Sequence, residues 1–489
     1  MEHWGMIAYR AGSVMNHPMA HLMKIKHWIY ATTLITHEVS HMWFGDLVSH
    51  EWYNDLWLTE GFARFMQFKA AFSIIGEPFV NMLFQSDKFP GLFKSQCRTG
   101  LNVETAGHVR SMYDIYKKFG SATYDQGGAI LQMLEDVIGA ENFQEAVRKH
   151  LNIHKYSFAT TADFINTVQE VVPKINIRDF MMTYLFQKNL PLIKVTEDVE
   201  HFILHQEPLC SDAESSVFGS KWTVPIKYIT NGNGTYETIW FDRDMDNVTI
   251  PKTGKSSWIL VNHGYTGLFR TLYSREIYIE LYKHFKELPV RDIGFLIGET
   301  FYMTLYRNLT CDIPLQLLGE MQNIEEIDYI TFDYVSKSFE NFILFNKFNE
   351  GLFDKDVFIM KSYFFNVFEK LYHNVSWTVA EKESKEHRLL RQSVLQSFCD
   401  DNVLYTRCYK DVEAIMNQNL TIHDDIKDIY DRIKLNLDKT ETKNENDENN
   451  RVDDSLFSDI IGPTYEYEQN CSVCIRKNLV KYPELAVRA

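Results

Sequence analysis

No run of eighteen apolar residues occurs anywhere in these 489 residues, so no membrane-spanning helix is expected within them. No secretory signal pattern is visible at the start. Basic residues do not dominate: 50 Lys and Arg stand against 66 Asp and Glu, a net charge of -16. That balance argues against nucleic-acid binding, which needs a basic patch. Cysteine is sparse, at seven scattered residues, which excludes a small disulfide-stapled scaffold. Disorder throughout is excluded as well. Apolar residues make up 45% of the chain and aromatics 14%, enough for large cores, and the length calls for two to four domains.

What is present is concentrated between Thr36 and Phe65, T-H-E-V-S-H-M-W-F-G-D-L-V-S-H-E-W-Y-N-D-L-W-L-T-E-G-F-A-R-F. His37 and His41 are four residues apart, so on a helix they share one face and offer two imidazoles to one metal ion. A second helix, expected over Leu56 to Ile75, carries Glu60. Folded back against the first, it supplies a third ligand. Two imidazoles and one carboxylate form a catalytic zinc set, with the fourth position left for water. Such an ion lowers the pKa of its water to about 7 and polarises a substrate carbonyl. A carboxylate off the metal must then take the water's proton and pass it to the leaving amine, and Glu38 is placed for that role. A third histidine ligand is excluded, because the longer motif needs Gly at 44 and His at 47, where this chain has Phe44 and Leu47.

H-E-V-S-H followed by Glu60 within L-T-E-G-F-A resembles the zinc aminopeptidases of the alanyl aminopeptidase (aminopeptidase N) type. The strings W-F-G-D-L-V and W-Y-N-D-L-W-L-T-E-G-F are similar to the same family. The resemblance implies a mainly helical gluzincin catalytic domain of thermolysin-like fold, one zinc ion on His37, His41 and Glu60, and Glu38 as base and then acid. Met1-Glu2-His3-Trp4-Gly5 looks like the family's G-A-M-E-N-W-G segment, whose Glu holds the substrate's α-ammonium; Glu2 inherits that role. F-G-S-A-T-Y-D-Q-G-G-A resembles the family's Y-x-K-G-A segment, so Tyr124 is the candidate oxyanion donor, with Gln126 where Lys is common. Cys399 and Cys408 straddle a helix–helix turn as a family disulfide does. Family members carry a β-domain, and often a membrane anchor, ahead of these motifs. The resemblance therefore implies a catalytic domain cut short at its N-terminus, weak or inactive as it stands because the Met1 ammonium would compete for Glu2 or leave Glu2 too mobile to act. It also implies an extracellular or plasma-membrane location, with any membrane tie outside this chain.

The remaining pattern is that of a mixed α+β multidomain chain. Residues 1–195 read as the zinc peptidase domain, helical from about Lys24 to Leu190 but irregular over Leu83 to Val109. Residues 196–274 read as a small antiparallel β-sandwich, with strands at Trp222–Thr230 and Tyr236–Phe241 around N-G-N-G-T and another at Trp258–Asn262. Residues 275–437 return to a helical period with aromatic core stripes, and Arg388 to Met416 resembles the family's C-terminal helical-repeat domain. Residues 438–454 read as an acidic disordered linker. The tail, 455–489, matches nothing in the family, and its Cys471 and Cys474 lack the second ligand pair a metal knuckle needs. Six N-x-[ST] sequons, at Asn233, Asn247, Asn308, Asn374, Asn419 and Asn470, hint at a secreted glycoprotein. The expected substrates are peptides with a free N-terminus. Two alternatives stand: a thermolysin-like endopeptidase, and a catalytically silent zinc-binding homologue.

Overall fold

The computed structural model describes residues 1–14, 25–86, 109–210, 218–231, 235–252, 258–307, 309–349, 354–378, 383–399, 405–418, 422 and 426–441. Asn233, Asn308, Asn419, Asn470, Cys471, Cys474 and the tail 455–489 lie outside them. The sequon residues Asn247 and Asn374 are both exposed. The chain divides into two compact units, which meet in the sequence at Phe295 and Leu296.

The first unit opens with a two-residue hairpin, β1 (Glu2–His3) against β2 (Met6–Ile7), turned at Gly5 with φ 81°. Helix α1 (Ile25–Ser40) follows, and its last turn holds His37. His41 falls just past its end, although its N–H still donates to the His37 carbonyl at 3.3 Å. The chain then tightens, with Met42 N–H donating to Val39 O and Trp43 N–H to Ser40 O, each at 3.1 Å. Gly45, at φ 135°, completes the reversal; a Cβ there would lie 2.9 Å from Thr59 Cγ2. The reversal leads into β3 (Val48–His50), which pairs in parallel with β4 (Ser157–Ala159).

Helix α2 (Trp57–Ile75) is apolar almost all round, as a core helix should be, and stops at Gly76 in the left-handed conformation. Its Trp57 and Phe62 each pack edge to face against Phe164 in the core. The Trp57 indole donates to Thr161 Oγ1 at 2.8 Å. Against α2 lies α3 (Gly127–Ile138), and α4 (Ala140–His154), α5 (Thr161–Val171) and α6 (Ile177–Leu185) follow, each packed on the helix before it. Thr160 and Asp163 form a reciprocal capping box at the start of α5. The stretch expected to be irregular from Leu83 is helical through Ser86, and 87–108 lie outside the described residues. Phe79, Val80 and Phe84 are fully buried, which favours a helix over that first part.

Seven strands follow: β5 (Pro191–Glu197), β6 (His201–Pro208), β7 (Val224–Thr230), β8 (Glu237–Phe241), β9 (Val248–Pro251), β10 (Ile259–Val261) and β11 (Arg270–Tyr273). They form two sheets, β10-β7-β8 and β11-β5-β6-β9. All pairings are antiparallel except β11 with β5, which is parallel. That departs from the expected purely antiparallel sandwich. β11 does not return from β5 through a hairpin; the chain reaches it after β10, in the other sheet, and so can run alongside β5 in the same direction.

The described part of the second unit is mainly helical: α7 (Asp312–Glu320), α8 (Tyr329–Asn349), α9 (Asp354–Val375), α10 (Lys385–Cys399), α11 (Tyr405–Gln418) and α12 (Lys427–Glu441). Phe332, Phe364, Phe368 and Phe398 form its aromatic core. Cys399 and Cys408 are joined by a disulfide, closing the α10–α11 connection. Helix α12 runs through Glu441, past the boundary expected at 437. Buried Ile426, Ile429 and Ile433 anchor it, and a helix once nucleated extends through polar residues.

Candidate active site

Three donor atoms converge between α1 and α2. His37 Nε2 and His41 Nε2 are 3.1 Å apart, and each lies 3.3 Å from Glu60 Oε2. The far side of each ring shows which nitrogen carries hydrogen. His37 Nδ1 is 3.0 Å from Gln67 Oε1, and His41 Nδ1 is 2.9 Å from the Phe44 carbonyl. Both acceptors are oxygens without a proton, so each Nδ1 is the donor and each Nε2 keeps its lone pair. Glu60 Oε2 is buried and accepts no hydrogen bond. Three lone pairs on buried side chains therefore face one another, which is repulsive unless a cation lies among them. Ligands held about 2.0–2.1 Å from a tetrahedral ion stand about 3.3 Å from each other, so the donor set fits an ion of zinc's size.

The same trio attracts protons when no cation is present. Burial alone would raise the Glu60 carboxyl, but the two imidazoles override it and take it down to about 2. Burial opposes a charged His41, and the Glu60 carboxylate overrides that too, so its pKa rises. Protons and metal thus compete for one pocket.

Glycine sets how closely Glu60 approaches its neighbours. A Cβ on Gly61 would lie 3.0 Å from Gly127 Cα and 3.2 Å from the Thr123 carbonyl. Two glycines face each other there, and α2 meets the start of α3 backbone to backbone. Just before that contact, Ala122–Gln126 forms one π-helical turn, a distortion common at functional sites. The turn lays the Tyr124 ring over His37, centroids 6.0 Å apart and 22° from parallel. Burial pushes the Tyr124 phenol far up, and the Glu60 carboxylate adds to it, so it remains a hydrogen-bond donor. Gln126, found where the resemblance puts Lys, is fully buried and donates to the Tyr184 carbonyl at 3.1 Å.

The β1–β2 hairpin brings Glu2 to the same place. Glu2, Glu38 and His41 each offer a ligand atom within 4.8 Å of the others. The Met1 α-nitrogen lies 3.2 Å from Glu38 Oε2 and 3.4 Å from Glu2 Oε2. All the site residues expected from the sequence, Glu2, His37, Glu38, His41, Glu60 and Tyr124, therefore lie around one point. Gln67 was not expected. It is seven residues beyond Glu60, two helical turns on and so on the same face, and that spacing is the signal that points to it.

Residues 1–184 match the Peptidase family M1 domain. The chain carries a family M1 peptidase domain. Residues 258–433 match the ERAP1-like C-terminal domain. Glutamyl aminopeptidase of Bitis rhinoceros is 27% identical over 445 residues, which cover 86% of this chain and 43% of that protein. Endoplasmic reticulum aminopeptidase 1 of Rattus norvegicus is 26% identical over 435 residues, 82% of this chain and 45% of the relative. Rat aminopeptidase N is 26% identical over 335 residues, 64% and 34%. The chain spans less than half the length of these curated relatives. His37, Glu38, His41, Glu60 and Tyr124 all fall within the matched M1 domain, as does Glu2.

Proposed function

We propose that this protein is a zinc metalloaminopeptidase, removing single residues from peptides with a free N-terminus. The observation that carries the proposal is the convergence of three buried lone pairs, on His37, His41 and Glu60, inside an M1 domain. These three residues would hold one zinc ion. When bound, the ion supplies a water of lowered pKa and polarises the scissile carbonyl.

Glu38 lies beside the trio without belonging to it. Its carboxylate is placed to take the water's proton and return it to the leaving amine. Tyr124, protonated and stacked over His37, donates a hydrogen bond to the developing oxyanion. Glu2 faces the same space and holds the substrate ammonium, which fixes the peptide's register so that only its first bond is in reach. A secreted or plasma-membrane setting is proposed on the exposed sequons Asn247 and Asn374 and the Cys399–Cys408 disulfide. No helix among the described residues is long and apolar enough to cross a membrane.

The test is metal analysis of the purified protein. One zinc per molecule, lost in His41→Ala, is the expected result. No zinc, or zinc retained after His41→Ala, would remove the ligand assignment.

A further inference from the structure

We propose that Gln67 is the positioning residue that orients His37 for the metal and sets how strongly that imidazole binds; this rests on the zinc reading above. Gln67 is 6% exposed, at the interface of α1 and α2. Its side-chain Oε1 accepts from His37 Nδ1 at 3.0 Å, and its backbone carbonyl accepts from the Thr36 hydroxyl at 2.9 Å. One residue of α2 thus grips two consecutive residues of α1. The backbone contact holds the register of the two helices. The side-chain contact puts the hydrogen on Nδ1 and aims the Nε2 lone pair at His41 and Glu60.

The two imidazoles are held differently. His41 leans on the Phe44 main-chain carbonyl, which no side-chain change at that position removes. His37 depends on one side chain. Its acceptor is also a neutral amide, which polarises the Nδ1–H less than a carboxylate would and leaves Nε2 a weaker donor. Zinc affinity is therefore adjustable in both directions at position 67. A helix-packing glutamine with no tie to the metal would have no such effect.

The experiment is a zinc competition titration against a chromophoric chelator, on the unsubstituted protein, Gln67→Met and Gln67→Glu. Met keeps the length of the side chain but has no oxygen acceptor; Glu keeps the acceptor and adds charge. Gln67→Met should weaken zinc about 10- to 100-fold, and Gln67→Glu should bind it at least as tightly as Gln67 does. A packing role alone predicts that the two substitutions act alike. Gln67→Met binding zinc like the unsubstituted protein overturns the proposal, and so does Gln67→Glu losing zinc as Gln67→Met does. If Gln67→Met does not fold, Gln67→Glu decides by itself, and weakened binding there overturns it. If the unsubstituted protein takes up no zinc, the zinc reading fails first and the proposal falls with it.

Discussion

At the scale of single residues, the proposed function gives Glu38 and His41 different roles although both lie at the same site. His41 is one of the three converging donors; Glu38 is not. Glu38→Gln should therefore keep the zinc and lose activity by at least about 10²-fold, the range general acid–base catalysis supplies. Metal analysis beside a rate measurement checks both halves, and a metal-free or fully active Glu38→Gln contradicts the assignment. His150, on α4, carries a second prediction. It is buried, and its Nδ1 has no hydrogen-bond partner. Burial and the nearby His154 push it down to about 4, against the pull of Asp163. The sign follows directly. The unfolded chain takes up this proton near 6.5, and the folded one not until about 4. Above 6.5 neither state binds it, so there is no cost. As pH falls from 6.5 the unfolded state alone gains the proton, and stability drops by up to about 3 kcal/mol. His150→Phe should flatten that part of the profile, read from denaturant unfolding at pH 7 and pH 5. Equal losses in both proteins would contradict it.

Among the structural elements, the pairing of α2 with the start of α3 decides whether Glu60 reaches the imidazoles. Gly61→Ala would push a methyl into the Gly127 backbone, where no flexible side chain can give way. It should cost about 1–3 kcal/mol and weaken zinc as well, since Glu60 is the preceding residue. A thermal melt and a zinc titration read the two effects, and no change in either would show that the helices can separate freely. In the helical second unit, the Cys399–Cys408 bond closes a short loop. Loss of that bond in Cys399→Ser should lower stability by about 2–3 kcal/mol through loop-closure entropy, measurable by denaturant unfolding. The convergence of His37, His41 and Glu60 was legible in the sequence because the first two are four residues apart, at the end of one helix, and one short reversal later comes Glu60. The Gln67–His37 bond was not, because it depends on the register between two helices, which periodicity does not set. Nor was the parallel β11, since alternation marks a strand without saying which neighbour it joins or in which direction. Helical ends were equally hard to place: α12 outruns its apolar pattern, and α1 stops one residue short of a metal-ligand candidate that its spacing had put inside.

For the whole molecule, the site residues from Glu2 to Tyr124 lie in one unit and in one matched domain. In the proposed function the β1–β2 hairpin is the part that separates exopeptidase from endopeptidase action, because it brings Glu2, a carboxylate outside the candidate ligand set of His37, His41 and Glu60, to the site. Zinc binding by itself cannot distinguish an aminopeptidase from an endopeptidase or from a silent zinc protein. The rates on two substrates can. The measurement is cleavage by the zinc-loaded protein of one dipeptide amide, unblocked and N-acetylated. The unblocked peptide should be cleaved at least about 10²-fold faster, the amine contact being worth several kcal/mol in positioning. Equal cleavage of the two would contradict the aminopeptidase assignment, and no cleavage of either by protein holding one zinc would contradict catalysis altogether.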